Sequence, residues 1–309
     1  MTPPPVLVIK HGALGDIIIA TAAFAAIRRQ HPDAHITLLT TKPYAELLAQ
    51  SPFFDELWID SKPSWRDRPA LRRLRHMLNR ERWQWVYDLQ TSQRTTCYQW
   101  LLQRPWPKIS NASRWVSHPR PPVHRGLHAL ENIRAQLAVT GIDAIGAPDI
   151  SWLAAEIESL HLPPAPYALL VAGGAAHRPE KRWPADQYAS LAQELSQRGL
   201  TPLLIGTAAE APALATICAR VPAAVSLCGK TSIAQLASLA RLAELAIGND
   251  TGPMHVIASA GCRATVLFSH ASDPIRSAPL GQDVRILRAP DLQSLSVDRV
   301  LSETLREHA

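Results

Sequence analysis

Short apolar runs rich in branched residues alternate with longer helical segments along this chain, in two successive series. In the first, strands are predicted at Val6–Lys10, His35–Thr40, Glu56–Ile59 and Val86–Leu89. Helices are predicted over Asp16–Gln30 and Pro43–Gln50, with a long basic helix reaching about Arg82. The second opens after Pro163-Pro164-Ala165-Pro166, with strands at Tyr167–Val171, Pro202–Ile205, Val225–Leu227, Leu245–Ile247 and Ala264–Phe268. A strand that is apolar on both faces needs a layer on each side, which argues for parallel sheets sandwiched between helices. The Asp16–Gln30 segment is apolar nearly all round, so it belongs against such a sheet. The expected fold is therefore α/β, two Rossmann-like doubly wound domains facing across a cleft. The first would span 1–163 and the second 164–309, leaving room for a C-terminal helix to pack back on the first.

Composition supports two ordinary cores: 47% of 309 residues are apolar, which excludes a disordered chain. The longest weakly polar run, Ile17 to Ile27, is eleven residues, against about 20 for a membrane-spanning helix. No basic stretch precedes an apolar one at Met1-Thr-Pro-Pro-Pro, so a soluble, cytosolic protein is expected. The four cysteines, Cys97, Cys218, Cys228 and Cys262, form no C-x-x-C pair and read as buried free thiols. Charge is uneven. Residues 1–150 hold 19 Lys+Arg against 12 Asp+Glu, whereas the remainder hold 13 against 14. The excess gathers between Lys62 and Arg82, implying an acidic partner or else a solvated basic face.

In such folds ligands bind at the carboxyl ends of strands, so the chemistry should lie in the loops that follow them. The first loop reads His11-Gly12-Ala13-Leu14-Gly15-Asp16. Its glycines permit close backbone approach, and Asp16 at a helix start is either a functional carboxylate or an N-cap. The loop lacks the G-x-G-x-x-G spacing of a dinucleotide fingerprint, which disfavours hydride transfer. After the first strand of the second series, small residues lead into His177, Arg178, Lys181 and Arg182, a set of cations suited to a diphosphate. Gly248-Asn249-Asp250-Thr251-Gly252-Pro253-Met254-His255 again joins a strand to a helix, where backbone amides favour anions. There Asp250 either caps the helix or holds sugar hydroxyls. Gly229-Lys230-Thr231-Ser232 is a candidate ligand-contacting turn but not a P-loop, because Ala224 stands where the first glycine belongs. The chain contains no D-x-D, G-x-S-x-G or H-E-x-x-H motif, so metal-dependent sugar transfer and serine or zinc hydrolysis lack their signatures.

Taken together, G-A-L-G-D near the amino terminus, E-K-R-W-P in the second series and G-K-T-S followed by N-D-T-G-P-M-H resemble the family 9 glycosyltransferases, the ADP-heptose:lipopolysaccharide heptosyltransferases. The resemblance implies a GT-B fold with Asp16 as the base that deprotonates the acceptor hydroxyl, on a loop with His11, Gly12 and Gly15. It also implies a donor site in which Lys181, Asp250, Thr251 and Gly252 hold the diphosphate and heptose and Glu210 meets the adenosine ribose. His177, Thr231 and His255 fall within the same blocks. The implied donor is ADP-heptose, with no cofactor and no metal. The implied acceptor is the anionic inner core of lipopolysaccharide, met at the cytosolic face of the membrane, with no nucleic acid involved. Another sugar or acceptor, or a non-catalytic module binding anionic glycolipid or nucleic acid, is the alternative.

Overall fold

The structure is a computed structural model of the 309-residue chain and describes residues 3–102, 112–116, 126–174 and 178–306. It divides into two compact units, Met1–Gly146 and Ala147–Ala309. The first contains β1 (Pro5–Ile9), α1 (Leu14–Gln30), β2 (His35–Thr40), α2 (Lys42–Ala49), β3 (Glu56–Ile59), α3 (Arg68–Leu78), β4 (Trp83–Asp88), α4 (Gln93–Thr96), α5 (Tyr98–Leu101), β5 (Ala112–Val116) and α6 (Ala129–Ala138). Its five strands are all parallel, in the order β3-β2-β1-β4-β5. As its composition requires, α1 is buried over Ile17–Phe24, and α6 packs on it. On the other face Leu7, Ile9, Trp58, Leu74, Trp83 and Tyr98 close the core.

The second unit contains β6 (Tyr167–Val171), α7 (Ala185–Gln197), β7 (Thr201–Leu204), α8 (Ala211–Arg220), β8 (Val225–Ser226), α9 (Ile233–Leu242), β9 (Leu245–Asn249), α10 (Gly252–Ser259), β10 (Ala264–Phe268), α11 (Pro274–Ser277), β11 (Val284–Arg288) and α12 (Val297–Leu305). Six parallel strands run β11-β10-β9-β6-β7-β8. Each sheet reverses its order of growth once, between β1 and β4 in the first and between β9 and β6 in the second. Crevices open at such reversals, beyond the carboxyl ends of the strands.

Three expectations need correction. The units divide at Gly146 and Ala147, not at residue 163, because the intervening segment is fastened to α9. Ser238 Oγ accepts from the Ala155 amide at 3.0 Å, and Arg241 donates to the carbonyls of Leu153 and Ile150 at 2.8 Å each. Within the second unit, α12 lies against α7, β10 and β11. The basic helix is also shorter than its charge run. Pro63 and the left-handed Lys62 (φ 48°) keep the chain irregular until Asp67 caps α3, accepting from the Ala70 amide at 3.0 Å. Of the four free thiols only Cys262 is fully buried, and burial pushes it up to about 12.

Candidate active site

In the first unit the chain leaves β1 through Lys10 and His11, turns at Gly12 and enters α1 at Leu14. Gly12 has φ +133°, and a Cβ there would stand 2.5 Å from the Tyr44 ring, so glycine is required on both counts. Gly15 lies within the first helical turn, not in the loop. Asp16 is the third helical residue, and Ala13 is the N-cap, so the carboxylate does not cap by the usual forward bond. Its Oδ2 instead accepts the Ala13 amide at 3.1 Å, anchoring one oxygen while the side chain stays exposed at the positive end of the helix dipole.

Asp16 lines a cavity of about 240 Å³ together with Lys10, Gln90, Thr91, Asn132 and Gln136, beyond the ends of β1 and β4, where the strand order reverses. The loop after β4 is shaped by the Asp88 carboxylate, which accepts from the amides of Gln90 at 3.2 Å and Thr91 at 3.0 Å. Thr91 is held at φ 49°, a region that a β-branched residue enters only when its surroundings compel it. Gln90 is fixed in turn, its Oε1 accepting from the His11 amide at 2.8 Å. Lys10 is 7% exposed, and its ammonium donates to the Leu89 carbonyl at 3.1 Å.

His11 does not face this cavity as a ligand-bearing side chain. It is buried, with Nε2 3.1 Å from Asp60 Oδ2. The Asp60 carboxylate also accepts from the Tyr98 hydroxyl and, at 2.7 Å, from the Lys62 amide. Burial works to raise the Asp60 pKa, but these partners, His11 first among them, hold it below the ordinary carboxylate value. Burial beside that carboxylate drives the Tyr98 hydroxyl upward. His128 and Glu131, whose helical spacing invites a metal reading, have local work instead: His128 Nδ1 accepts from the Leu130 amide at 3.1 Å, and Glu131 pairs with Arg134 at 2.5 Å.

In the second unit, Lys181 follows β6 and Asp250 follows β9, the two strands at the reversal. They meet at 2.6 Å, with side chains only 15% and 10% exposed. Of the two roles open to Asp250, helix capping falls away, since Thr251 occupies the N-cap of α10 and makes no side-chain capping bond. Gly252 is the first residue of α10, so the helix presents its amide end beside the Lys181–Asp250 pair. Glu210 ends a short turn after β7, its Oε2 accepting from the Thr207 amide at 2.9 Å and hydroxyl at 2.7 Å. Glu210 lies so close over the loop after β6 that a Cβ on Gly173 would stand 2.7 Å from its Cγ. Gly229, at φ +66°, donates its amide to the Gly206 carbonyl at 2.8 Å, which brings the half-buried Thr231 to the same strand ends. His255 is buried in α10, whereas His177 lies outside the described residues.

Residues 71–304 match the family model of glycosyltransferase family 9 (heptosyltransferase). The chain belongs to glycosyltransferase family 9. Over 120 residues it is 32% identical to lipooligosaccharide heptosyltransferase 2 of Haemophilus influenzae, a match covering 37% of this chain and 34% of that protein. The match thus spans about a third of that curated relative. Among solved structures, a family 9 glycosyltransferase from Veillonella parvula superposes with a TM-score of 0.81 at 21% identity, covering 97% of this chain and 96% of the other. Escherichia coli heptosyltransferase WaaC with ADP gives 0.75 at 18% identity, covering 96% and 98%. These likenesses show that this family 9 chain has the two-Rossmann GT-B fold.

Two residues of the candidate site hold positions that their sequence motifs do not announce. Lys10 reads as the last residue of a strand, yet a charge closing an otherwise apolar run is a signal that it faces something polar. Asn249 is wholly buried and ties three segments together, its Nδ2 donating to the Gly173 carbonyl at 2.8 Å. Its Oδ1 accepts from the Trp183 amide and the Tyr188 hydroxyl at 3.1 Å each. Among the described residues no group of three His, Cys, Asp or Glu side chains is arranged to hold a metal ion, and no helix is long and apolar enough to cross a membrane.

Proposed function

We infer that this protein is an inverting, metal-independent glycosyltransferase that moves a heptose from ADP-heptose to the inner core of lipopolysaccharide. The observation that carries the reading is the anchored Asp16 carboxylate in a polar cavity at the strand reversal of the first unit. One oxygen is held by the Ala13 amide, and the other is left to take a proton from an acceptor hydroxyl. That hydroxyl oxygen then forms the bond to the anomeric carbon as the bond to phosphate breaks, and the electron pair leaves with ADP. One displacement inverts the configuration.

In the second unit, Lys181 and the amide end of α10 meet the charge that develops on the leaving diphosphate, which is the electrostatic work a metal does elsewhere. Asp250 holds the Lys181 ammonium in place and turns its remaining acceptor capacity toward sugar hydroxyls. Glu210, fixed by Thr207, serves the ribose. Support for the donor comes from the ADP named with the solved WaaC relative, and support for the acceptor from the lipooligosaccharide in the name of the Haemophilus relative. The exposed arginines of α3, Arg72 and Arg73 among them, suit an acceptor rich in carboxylates and phosphates in an anionic membrane surface. Attachment there would be peripheral, on the cytoplasmic side.

The test is ADP release from ADP-heptose in the presence of heptose-deficient core acceptor and excess chelator. Steady release with an anomerically inverted product is expected. Loss of most activity, restored by magnesium or manganese, would overturn the metal-free mechanism, and failure to release ADP with any heptose-deficient core would overturn the reading as a whole.

A further inference from the structure

We propose that Lys10 is a second catalytic residue, whose buried ammonium donates to the acceptor hydroxyl oxygen and stabilises the negative charge that develops there as Asp16 removes the proton. The inference rests on the proposed function and adds a partner for the base.

A lysine ammonium has three N–H donors. Here one is spent on the Leu89 carbonyl at 3.1 Å, and this is the only hydrogen bond the ammonium makes among the described residues. The side chain is 7% exposed, so its two remaining donors have little access to bulk water. Leaving charged donors unmet in a protein interior is costly, which makes this arrangement meaningful when the same group lines a cavity. The cavity holds Asp16 on one wall and the loop after β4 on another. Its remaining polar side chains, Gln90, Thr91, Asn132 and Gln136, carry no charge. Those donors therefore suit an oxygen that becomes negative during reaction. A fully anionic ligand fits less well, because the Asp16 carboxylate shares the space.

The site is also built to keep Lys10 still. Its backbone amide donates to the Leu39 carbonyl at 3.1 Å, continuing the pairing of β1 with β2, while the Leu89 carbonyl belongs to the turn that the Asp88 carboxylate closes. A donor fixed before the reaction spends nothing on reorganisation as charge appears, which is what makes such groups effective. In balance, the acceptor O–H bond breaks and its proton passes to Asp16. The oxygen, with its charge shared by the ammonium, bonds to the anomeric carbon as ADP departs. Lys10 neither gains nor loses a proton.

Two carboxylates face the ammonium, Asp16 from α1 and Asp88 from β4, and both favour its charged form. Burial opposes them and holds the Lys10 pKa below the ordinary lysine value. Activity therefore declines on the alkaline side as Lys10 loses its proton, with a midpoint below the ordinary lysine value of about 10.4.

The experiment measures acceptor-saturated kcat against pH for wild type, Lys10→Arg and Lys10→Met, together with ADP affinity and the melting temperature of each. Lys10→Met should lower kcat about a hundredfold, as loss of one fixed oxyanion donor does, with ADP affinity unchanged within about twofold. Lys10→Arg should recover part of the rate and lose the alkaline limb, because a guanidinium stays charged. A merely structural lysine would not move that limb. A folded Lys10→Met that keeps wild-type kcat, or a Lys10→Arg whose alkaline limb is unmoved, overturns the assignment. If Lys10→Met does not fold, the Lys10→Arg profile decides alone. A wild type that releases no ADP with any core acceptor refutes the proposed function, whereas an active wild type beside an indifferent Lys10→Met refutes only this inference.

Discussion

The Lys181–Asp250 pair makes a quantitative prediction that separates two things one residue does. The charges approach to 2.6 Å with 15% and 10% of their side chains exposed, and they join the loops that follow β6 and β9. Removing one partner of a buried pair costs about 3–5 kcal/mol, chiefly because the other charge is left buried and unmatched. With this residual exposure water relieves part of that penalty, so Lys181→Met should cost about 2 kcal/mol. Asp250→Asn should cost about 1 kcal/mol, since the amide oxygen still accepts a hydrogen bond. In the double variant no charge is stranded, and the loss should be close to that of Asp250→Asn alone, giving a coupling of about 1–2 kcal/mol. Because about 2–4 °C accompany each kcal/mol in a domain of this size, Lys181→Met should melt roughly 4–8 °C lower. A double-mutant cycle by urea unfolding supplies the coupling, and calorimetric titration with ADP supplies the second readout. Lys181→Met should weaken ADP by roughly one to two decades, whereas Asp250→Asn should leave it as tight or tighter, because a charge that repels the diphosphate is gone. Effects that simply add, within about 0.5 kcal/mol, would show that the pair does not form in solution. Unchanged ADP affinity in a folded Lys181→Met would take the lysine out of the donor site.

Asp16→Asn keeps the size of the side chain and its bond from Ala13, so turnover should fall by about 10²–10⁴ with melting temperature and ADP affinity unmoved; wild-type turnover would remove Asp16 from the reaction. Neutralising Arg72, Arg73 and Arg75 together should raise the acceptor KM and weaken binding to anionic vesicles, an effect that added salt reproduces; a fall in ADP affinity alone would contradict the division of roles. The folded pKa of Asp60 lies below its unfolded value of about 3.9, so its stabilisation is present above that value and is lost as pH drops through the lower, folded one. Asp60→Asn should therefore destabilise the protein at neutral pH by about 3 kcal/mol and flatten the acid limb of stability measured by urea unfolding, and an unaltered limb would refute this.

How far the chain could be read in advance depended on how completely each element is buried. Strands covered on both faces, such as His35–Thr40, Tyr167–Val171 and Ala264–Phe268, were legible to the residue, since runs of apolar and β-branched residues fill them. The edge strands β5 and β11 were not. Val284–Arg288 breaks its aliphatic residues with Arg285 and Arg288 and buries only Leu287 fully, so it carries no run to notice. In the sequence, Asp16, Lys181 and Asp250 stood out because loops after strands are the expected places for chemistry, whereas Glu210 came only from the resemblance to the family. That Lys181 and Asp250 pair with each other was not legible, because pairing across 69 residues leaves no local spacing. His11 misled for the same reason: its residue type suggests a ligand, and only the fold brings Asp60 to it.

Asn249 has a further consequence. By holding the Gly173 carbonyl and the Trp183 amide on one buried amide group, it pins both ends of the segment between them to the sheet. A loop whose two ends are clamped independently of its middle behaves as an exchangeable cassette. On the proposed donor role, residues 178–182 can change in sequence, and so in the leaving groups they accommodate, without the sheet registering the change, provided that the asparagine, its two backbone partners and the Lys181 anchor are kept. Variation in donor preference among chains of this architecture should therefore concentrate within that interval, and transplanting it between two of them should carry the preference along.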